Sequence, residues 1–212
     1  MSRYLWYAWP ALLLAIFVLL VSFISLGIGV VAISPAEVWA ALNNPDTVSQ
    51  SIRTIVWDFR LARVMLVALT GAGLGAAGAS FQGLFRNPLA DPFVIGASGG
   101  AALGATLAIT LGWTAVFLGF GPVPLAAFGG ALLAVGLAYG ISELSGQTTP
   151  LALLLAGTAL SYMFTAAVSL VMVFANSDLV NVFYWLLGGF AGRSWPDLWA
   201  TLPYVIVGLA GL

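Results

Sequence analysis

Long apolar stretches alternate with short polar breaks along this chain, and the lengths of the stretches carry the first inference. Residues 4–36, 64–85, 92–142 and 144–177 contain no charge. A helix needs about 20 apolar residues to cross the hydrocarbon core of a bilayer, and the longest of these stretches has room for two crossings. One such run fits a buried soluble helix; four do not. The pattern predicts spans over 6–33, 61–81, 92–111, from a turn at 119–124 to 141, and 150–174. A sixth apolar run starts near Leu198 and meets the end of the chain at Leu212 without a polar flank, as expected of a truncated chain.

The breaks carry their own signals. Ser34-Pro35-Ala36-Glu37 has the form of a capping box with proline at the first helical position. It predicts a short surface helix over 36–42, ended by Asn43-Asn44-Pro45. Residues 46–60 are the wettest part of the chain. Residues 143–149 form a polar loop, 176–181 break the fifth span, and 182–189 are apolar but too short to cross. The apolar run 11–31 exceeds the roughly 7–15 residues of a signal-peptide core, so it reads as a retained span. Trp6, Tyr7 and Trp9 stand where interfacial anchors belong.

Composition narrows the function. Hydrophobic residues make up 62% of the chain and charged residues 6%, against about 25% in a soluble domain. With no cysteine and no histidine, thiol redox work, disulfides, His- or Cys-ligated metal and histidine acid–base catalysis are excluded within this chain. The seven acids are scattered and form no carboxylate dyad. A net charge of −1 gives no nucleic-acid signal. No metal site, resident cofactor or enzyme active site is expected from this chain. The fold class is all-α: a single polytopic transmembrane bundle over 1–212, with five or six spans.

Small residues recur at helical spacing. Gly96, Gly100 and Gly104 share one face of the third span, and Gly71, Gly75 and Ala79 one face of the second. This spacing lets helix backbones approach closely, which substitutes in lipid for the missing hydrophobic drive. Tight packing inside the chain is the main reading, with a translocation path or a dimer seam as alternatives.

The 82–92 loop is more specific. Asn87-Pro88 disfavours helix and forces a turn. Asp91 suits the N-cap of the third span and Pro92 its first helical position. Arg86 and Asp91 are spaced to pair across the loop. Gln82, Arg86, Asn87, Pro88, Asp91 and Pro92 together make a recognisable string.

With its flanks, that string resembles a known family. "GAGLGAAGASFQGLFRNPLADPFVIGASGGAALGA", starting at Gly71, is similar to the corresponding stretch of permeases that import iron-siderophores, haem and vitamin B12. These are ABC transporters of the type II importer fold. "FRLARVMLVALTGAGLG", "LALLLAGTALS" and "FYWLLGGFAGRSW" match in order on either side. The resemblance implies ten spans in a complete subunit, a cytoplasmic N-terminus in the inner (cytoplasmic) membrane, and a homodimer with a second permease copy, or a pseudo-dimer, with the translocation path at the subunit seam. It implies two cytoplasmic ATP-binding subunits that hold ATP and magnesium, and a periplasmic or extracellular substrate-binding protein. Transport would proceed by ATP-driven alternating access. The family's main ATPase-coupling helices fall beyond the matched part.

Three assignments follow from the resemblance. Arg60 and Arg63 match arginines that dock the binding protein at the outer start of the second span; snorkelling to lipid headgroups is the alternative. The docking role would explain why, with the N-terminus inside, Arg53, Arg60, Arg63 and Arg193 lie outside, against the positive-inside rule. Thr148 and Thr149 match the cytoplasmic gate, with a hydroxyl cap before Pro150 as the alternative. The 82–92 loop falls on the ATPase-facing side. Outside the family, a secondary transporter or channel would place ionisable groups within its spans, and every acid here lies in a loop or at a span end. A non-transporting membrane fragment is the other alternative.

Overall fold

The computed structural model describes residues 2–212 apart from Ala115, Leu118, Gln147, Thr148, Asn176 and Ser177, with side chains from Trp9 onward. The expected anchors Trp6 and Tyr7 therefore lie outside the described side chains. The architecture is that of a polytopic helical membrane protein. Among the described residues, four helices are long and apolar enough to cross a membrane: Trp9–Gly27, Gln50–Phe85, Pro122–Leu144 and Pro150–Phe174. Their outward side chains are apolar and open, with Leu19 69% and Val173 74% exposed. Such surfaces suit lipid or further helices, because the backbone polar groups are satisfied within each helix.

Helix α1 spans Ser2–Gly27 and ends six residues before the predicted limit. There the Ile33 amide donates to the Gly27 carbonyl at 3.1 Å. A Cβ on Gly27 would lie 2.9 Å from the Ile33 oxygen, so only glycine permits this fold-back. Helix α2, Pro35–Asn43, starts with the predicted box: Ser34 N and Oγ donate to Glu37 Oε2 at 2.9 and 2.7 Å, and Glu37 N donates to Ser34 Oγ at 3.3 Å.

The stretch before the second span is helical, which extends that span well upstream of residue 61. Ser49 caps α3, Gln50–Thr54, by accepting from Ile52 N. A π-helix over Ile55–Leu61 leads into α4, Ala62–Phe85. The third span is split, contrary to the single helix predicted. A 3₁₀ turn, Pro92–Ile95, is followed by Gly96 at φ 96°, and α5 runs only Ala97–Thr110. At 1.5 Å per residue α5 is about 21 Å long, short of the ~30 Å core. The remaining helices are α6 (Pro122–Leu144), α7 (Pro150–Phe174), α8 (Leu179–Leu187) and α9 (Trp195–Ala210). Helix α6 thus reaches past the predicted 141 and takes in Glu143. Helix α8 starts before 182, and α9 starts at Trp195 rather than near Leu198.

Two compact units emerge, Met1–Thr70 with Phe190–Thr201, and Gly71–Gly189 with Leu202–Leu212. The first centres on Leu26, Ile33, Val38, Ala41 and Val56. Two indoles tie it together: Trp57 Nε1 donates to the Ala41 carbonyl at 2.8 Å, and Trp195 Nε1 to the Trp57 carbonyl at 3.0 Å. In the second, α5 packs on α6 and α7, with Ala134, Ala138, Leu160 and Phe164 buried between them.

Candidate functional site

The two arginines of "RLAR" have different surroundings. Arg60 sits at the end of the π-helix, where its Nη1 donates to the Leu26 carbonyl at 2.6 Å and its Nη2 to the Val31 carbonyl. Leu26 lies in the last turn of α1, whose carbonyls lack partners within the helix and carry the negative end of its dipole. The guanidinium therefore serves as a side-chain cap on α1 and a tie on the segment that follows. Gly29 makes room for it, since a Cβ there would lie 2.7 Å from Arg60 Nη2. Arg63, three residues on, is exposed and makes no hydrogen bond or ion pair among the described residues. One arginine is committed to the fold; the other offers a free cation.

The 82–92 loop is built by the end of α4 and a cap. Arg86 N donates to Gly83 O and Asn87 N to Gln82 O, the paired bonds of a Schellman motif. Arg86 occupies the left-handed position of that motif, at φ 48°, where glycine is usual. Asn87 Oδ1 then accepts from Leu89 N at 2.9 Å, which turns the chain at Pro88. Asp91 caps as expected, with Oδ1 accepting from Phe93 N at 2.8 Å and Pro92 opening the turn. The expected Arg86–Asp91 pair does not form. Ion pairs among the described residues are Arg53–Asp46 and Arg193–Asp197. Asp91 is occupied by the backbone, and Arg86 is exposed.

The glycine faces differ as well. A Cβ on Gly100 would lie 2.5 Å from Ala134 Cβ and closer still to the Gly130 carbonyl, and one on Gly104 would lie 2.8 Å from the Ala126 carbonyl carbon. Gly96 faces the Gly157 carbonyl, 3.3 Å from where its Cβ would stand. By contrast, a Cβ on Gly71 or Gly75 would meet nothing within 4 Å among the described residues. The partners Gly130 and Gly157 escaped the sequence reading. Gly130, Ala134 and Ala138 recur every four residues on α6, a signal of the same kind as that on α5. Trp57 and Trp195 carried no such signal.

Thr149 caps α7, its Oγ1 accepting from Ala152 N at 3.2 Å with Pro150 at the first position. Thr148, the other expected gate residue, lies outside the described residues.

The comparisons with known proteins bear on these features. Residues 15–212 match the model of the FecCD transport family. Among curated relatives, the cobalamin import system permease BtuC of Halobacterium salinarum is 42% identical over 78% of this chain and 44% of its own length. The Fe(3+)-citrate import system permease YfmE of Bacillus subtilis is 36% identical over 92% of this chain and 57% of its own. The molybdate import system permease MolB of Haemophilus influenzae is 35% identical, over 90% and 57%. A solved metal-chelate-type ABC transporter in an inward-facing conformation superposes with a TM-score of 0.71 at 29% identity, covering 93% of this chain and 59% of that one. The chain thus spans about half the length of the curated relatives it matches.

Proposed function

Since the chain belongs to the FecCD transport family, we propose that it is part of the membrane permease of an ATP-driven importer for a metal chelate or a corrinoid. The family match over nearly the whole chain, on a multi-pass apolar helical fold, is the observation that carries the reading. The chain supplies the passage and no reaction chemistry. ATP and magnesium belong to two cytoplasmic partner subunits, and a substrate-binding protein delivers the cargo on the opposite side. A second permease copy completes the path. The subunit sits in the inner (cytoplasmic) membrane with its N-terminus in the cytoplasm. Iron-siderophores, haem and vitamin B12 are the candidate cargoes.

Within this reading the 82–92 loop faces the ATP-binding subunits, and residues 148 and 149 stand at the cytoplasmic constriction. The docking role implied for Arg60 and Arg63 divides. Arg60 is occupied with α1, and Arg63 is left free for an anion.

Co-expression with the candidate ATP-binding subunits and binding protein, followed by proteoliposome uptake of cobalamin, ferric citrate and ferric hydroxamate, tests the proposal. Uptake of one cargo that requires both ATP and the binding protein is expected. Uptake driven by an ion gradient without ATP would identify a secondary transporter instead. Assembly with no uptake of any cargo would favour the non-transporting fragment.

A further inference from the structure

The second span is entered through the π-helix Ile55–Leu61, with α-helix on both sides, Gln50–Thr54 and Ala62–Phe85. A π turn closes its hydrogen bonds over five residues rather than four, so it holds one residue more than the α turn it replaces. The packing shows what that residue does. Val56 is fully buried in the core of the first unit, and Ile52 and Ile55 pack against the same core. In an uninterrupted α-helix the residues that follow on this face are Phe59, Arg60 and Arg63, three, four and seven positions on. Leu61 and Val64 pack there instead, five and eight positions on, while Phe59 is 51% exposed and Arg63 is exposed. The surplus residue therefore delays the helix by one position, about 100° about its axis, and keeps Arg63 off the core. Bonds within the same unit hold the wide turn from outside. The Trp57 indole donates to Ala41, the Trp57 carbonyl accepts from the Trp195 indole, and Arg60 donates to the Leu26 and Val31 carbonyls.

We propose that this π-helix is the positioning element of the arginine pair, with Trp195 as the positioning residue that keeps its register. At this chain length an α register would aim Arg60 and Arg63 at an apolar core, where an unpaired guanidinium is costly to desolvate. The π register leaves Arg63 off that core and Arg60 on the Leu26 and Val31 carbonyls. Guanidinium contacts are directional, so the register also governs a docking partner's hold on the pair. The proposal rests on the docking role implied for these arginines, and adds the turn that aims them. Trp195 acts through the Trp57 carbonyl rather than on the partner.

The permease is co-expressed with its candidate ATP-binding subunits, placed in nanodiscs, and titrated with the candidate substrate-binding protein. Trp195→Phe should raise amide exchange at residues 28–33 about fivefold, because Arg60 leaves its carbonyls, and weaken association about threefold. Deletion of Asp58, which is exposed and makes no hydrogen bond or ion pair among the described residues, removes the surplus residue. An α-helix then carries Leu61 and Val64 to the core at four and seven positions after Val56, so association should stay at the wild-type level. In that background Trp195→Phe should weaken association no further, a rescue that a merely stabilising indole would not show. Arg63→Glu should abolish association and leave exchange at 28–33 unchanged. Unchanged association in Arg63→Glu would sink the docking reading, and exchange in Trp195→Phe would then decide the register alone. Wild-type exchange at 28–33 in Trp195→Phe would overturn the proposal. So would loss of assembly or of association on deleting Asp58, or an undiminished effect of Trp195→Phe in the deletion.

Discussion

Trp195 donates its indole N–H to the backbone carbonyl of Trp57 at 3.0 Å, joining residues 138 positions apart in one unit. Trp57 in turn donates to Ala41, so two indoles connect α9, the π-helix and α2 in series. Each ring contributes apolar area and a polar tip, which suits the edge of an apolar core. Trp195→Phe keeps most of the area and removes the donor. It should lower stability by about 1 kcal/mol, read as an earlier thermal transition in detergent. An unchanged transition would mean that the bond contributes nothing net.

The glycines of α5 and α4 should respond in opposite ways. Gly100→Ala drives a methyl into Gly130 and Ala134, and overpacking of this kind costs about 1–3 kcal/mol or more. Gly75→Ala meets open space among the described residues and should be tolerated. Thermal stability of the two variants side by side checks the contrast. Equal losses would show that the face around Gly75 is as crowded as that around Gly100.

Arg60→Lys keeps the charge but cannot span both the Leu26 and Val31 carbonyls with a fixed fork. The end of α1 should loosen, with faster amide exchange at residues 28–33 and a stability loss of about 1–2 kcal/mol. Gly29→Ala should produce a similar effect from the other side, by crowding the guanidinium. Protection of 28–33 in both variants at the wild-type level would refute the cap.

The box at α2 should be acid-sensitive. Donation by the Ser34 hydroxyl and amide holds the Glu37 carboxyl below its ordinary value of 4.5, and the group is fully exposed. A carboxyl depressed in the folded state adds stability above its unfolded value, and that contribution disappears as pH falls through the lower folded value. Protection of the α2 amides, taken relative to the free-chain exchange rate at the same pH, should therefore fall below pH 4.5, and Glu37→Gln should flatten this dependence. The same acid response in the glutamine variant would place its origin elsewhere.

Thr106 Oγ1 is fully buried in α5 and has no hydrogen-bond partner among the described residues. Thr106→Val replaces an unpaired hydroxyl with a methyl of similar volume. It should stabilise the chain by about 1 kcal/mol, because the cost of desolvating the hydroxyl is removed. A destabilised variant would point to a bound water on this oxygen.

Local and one-dimensional features were open to the sequence. The membrane class follows from the length of charge-free runs. The Ser34–Glu37 box and the Asp91 cap close within three residues, so no distant surface can alter them. The Gly96, Gly100 and Gly104 face was visible as a period of four, although the partners Gly157 (of Gly96) and Gly130 (of Gly100) had to be found in space. Where an outcome depended on which surfaces meet, reading along the chain failed. α1 stops at Gly27 because Ile33 folds back onto it. The third span breaks at Gly96, where the chain takes a left-handed turn and Gly157 comes against Ile95. Arg60 and Arg63 look equivalent in "RLAR", and only the approach of the Leu26 and Val31 carbonyls separates them. Sequence alone determined the solvent this chain folds in and where its helices are capped, since both depend on short stretches of side chains. Tertiary structure decided where the helices end and which arginine stays free, since both depend on backbone groups far away in the chain.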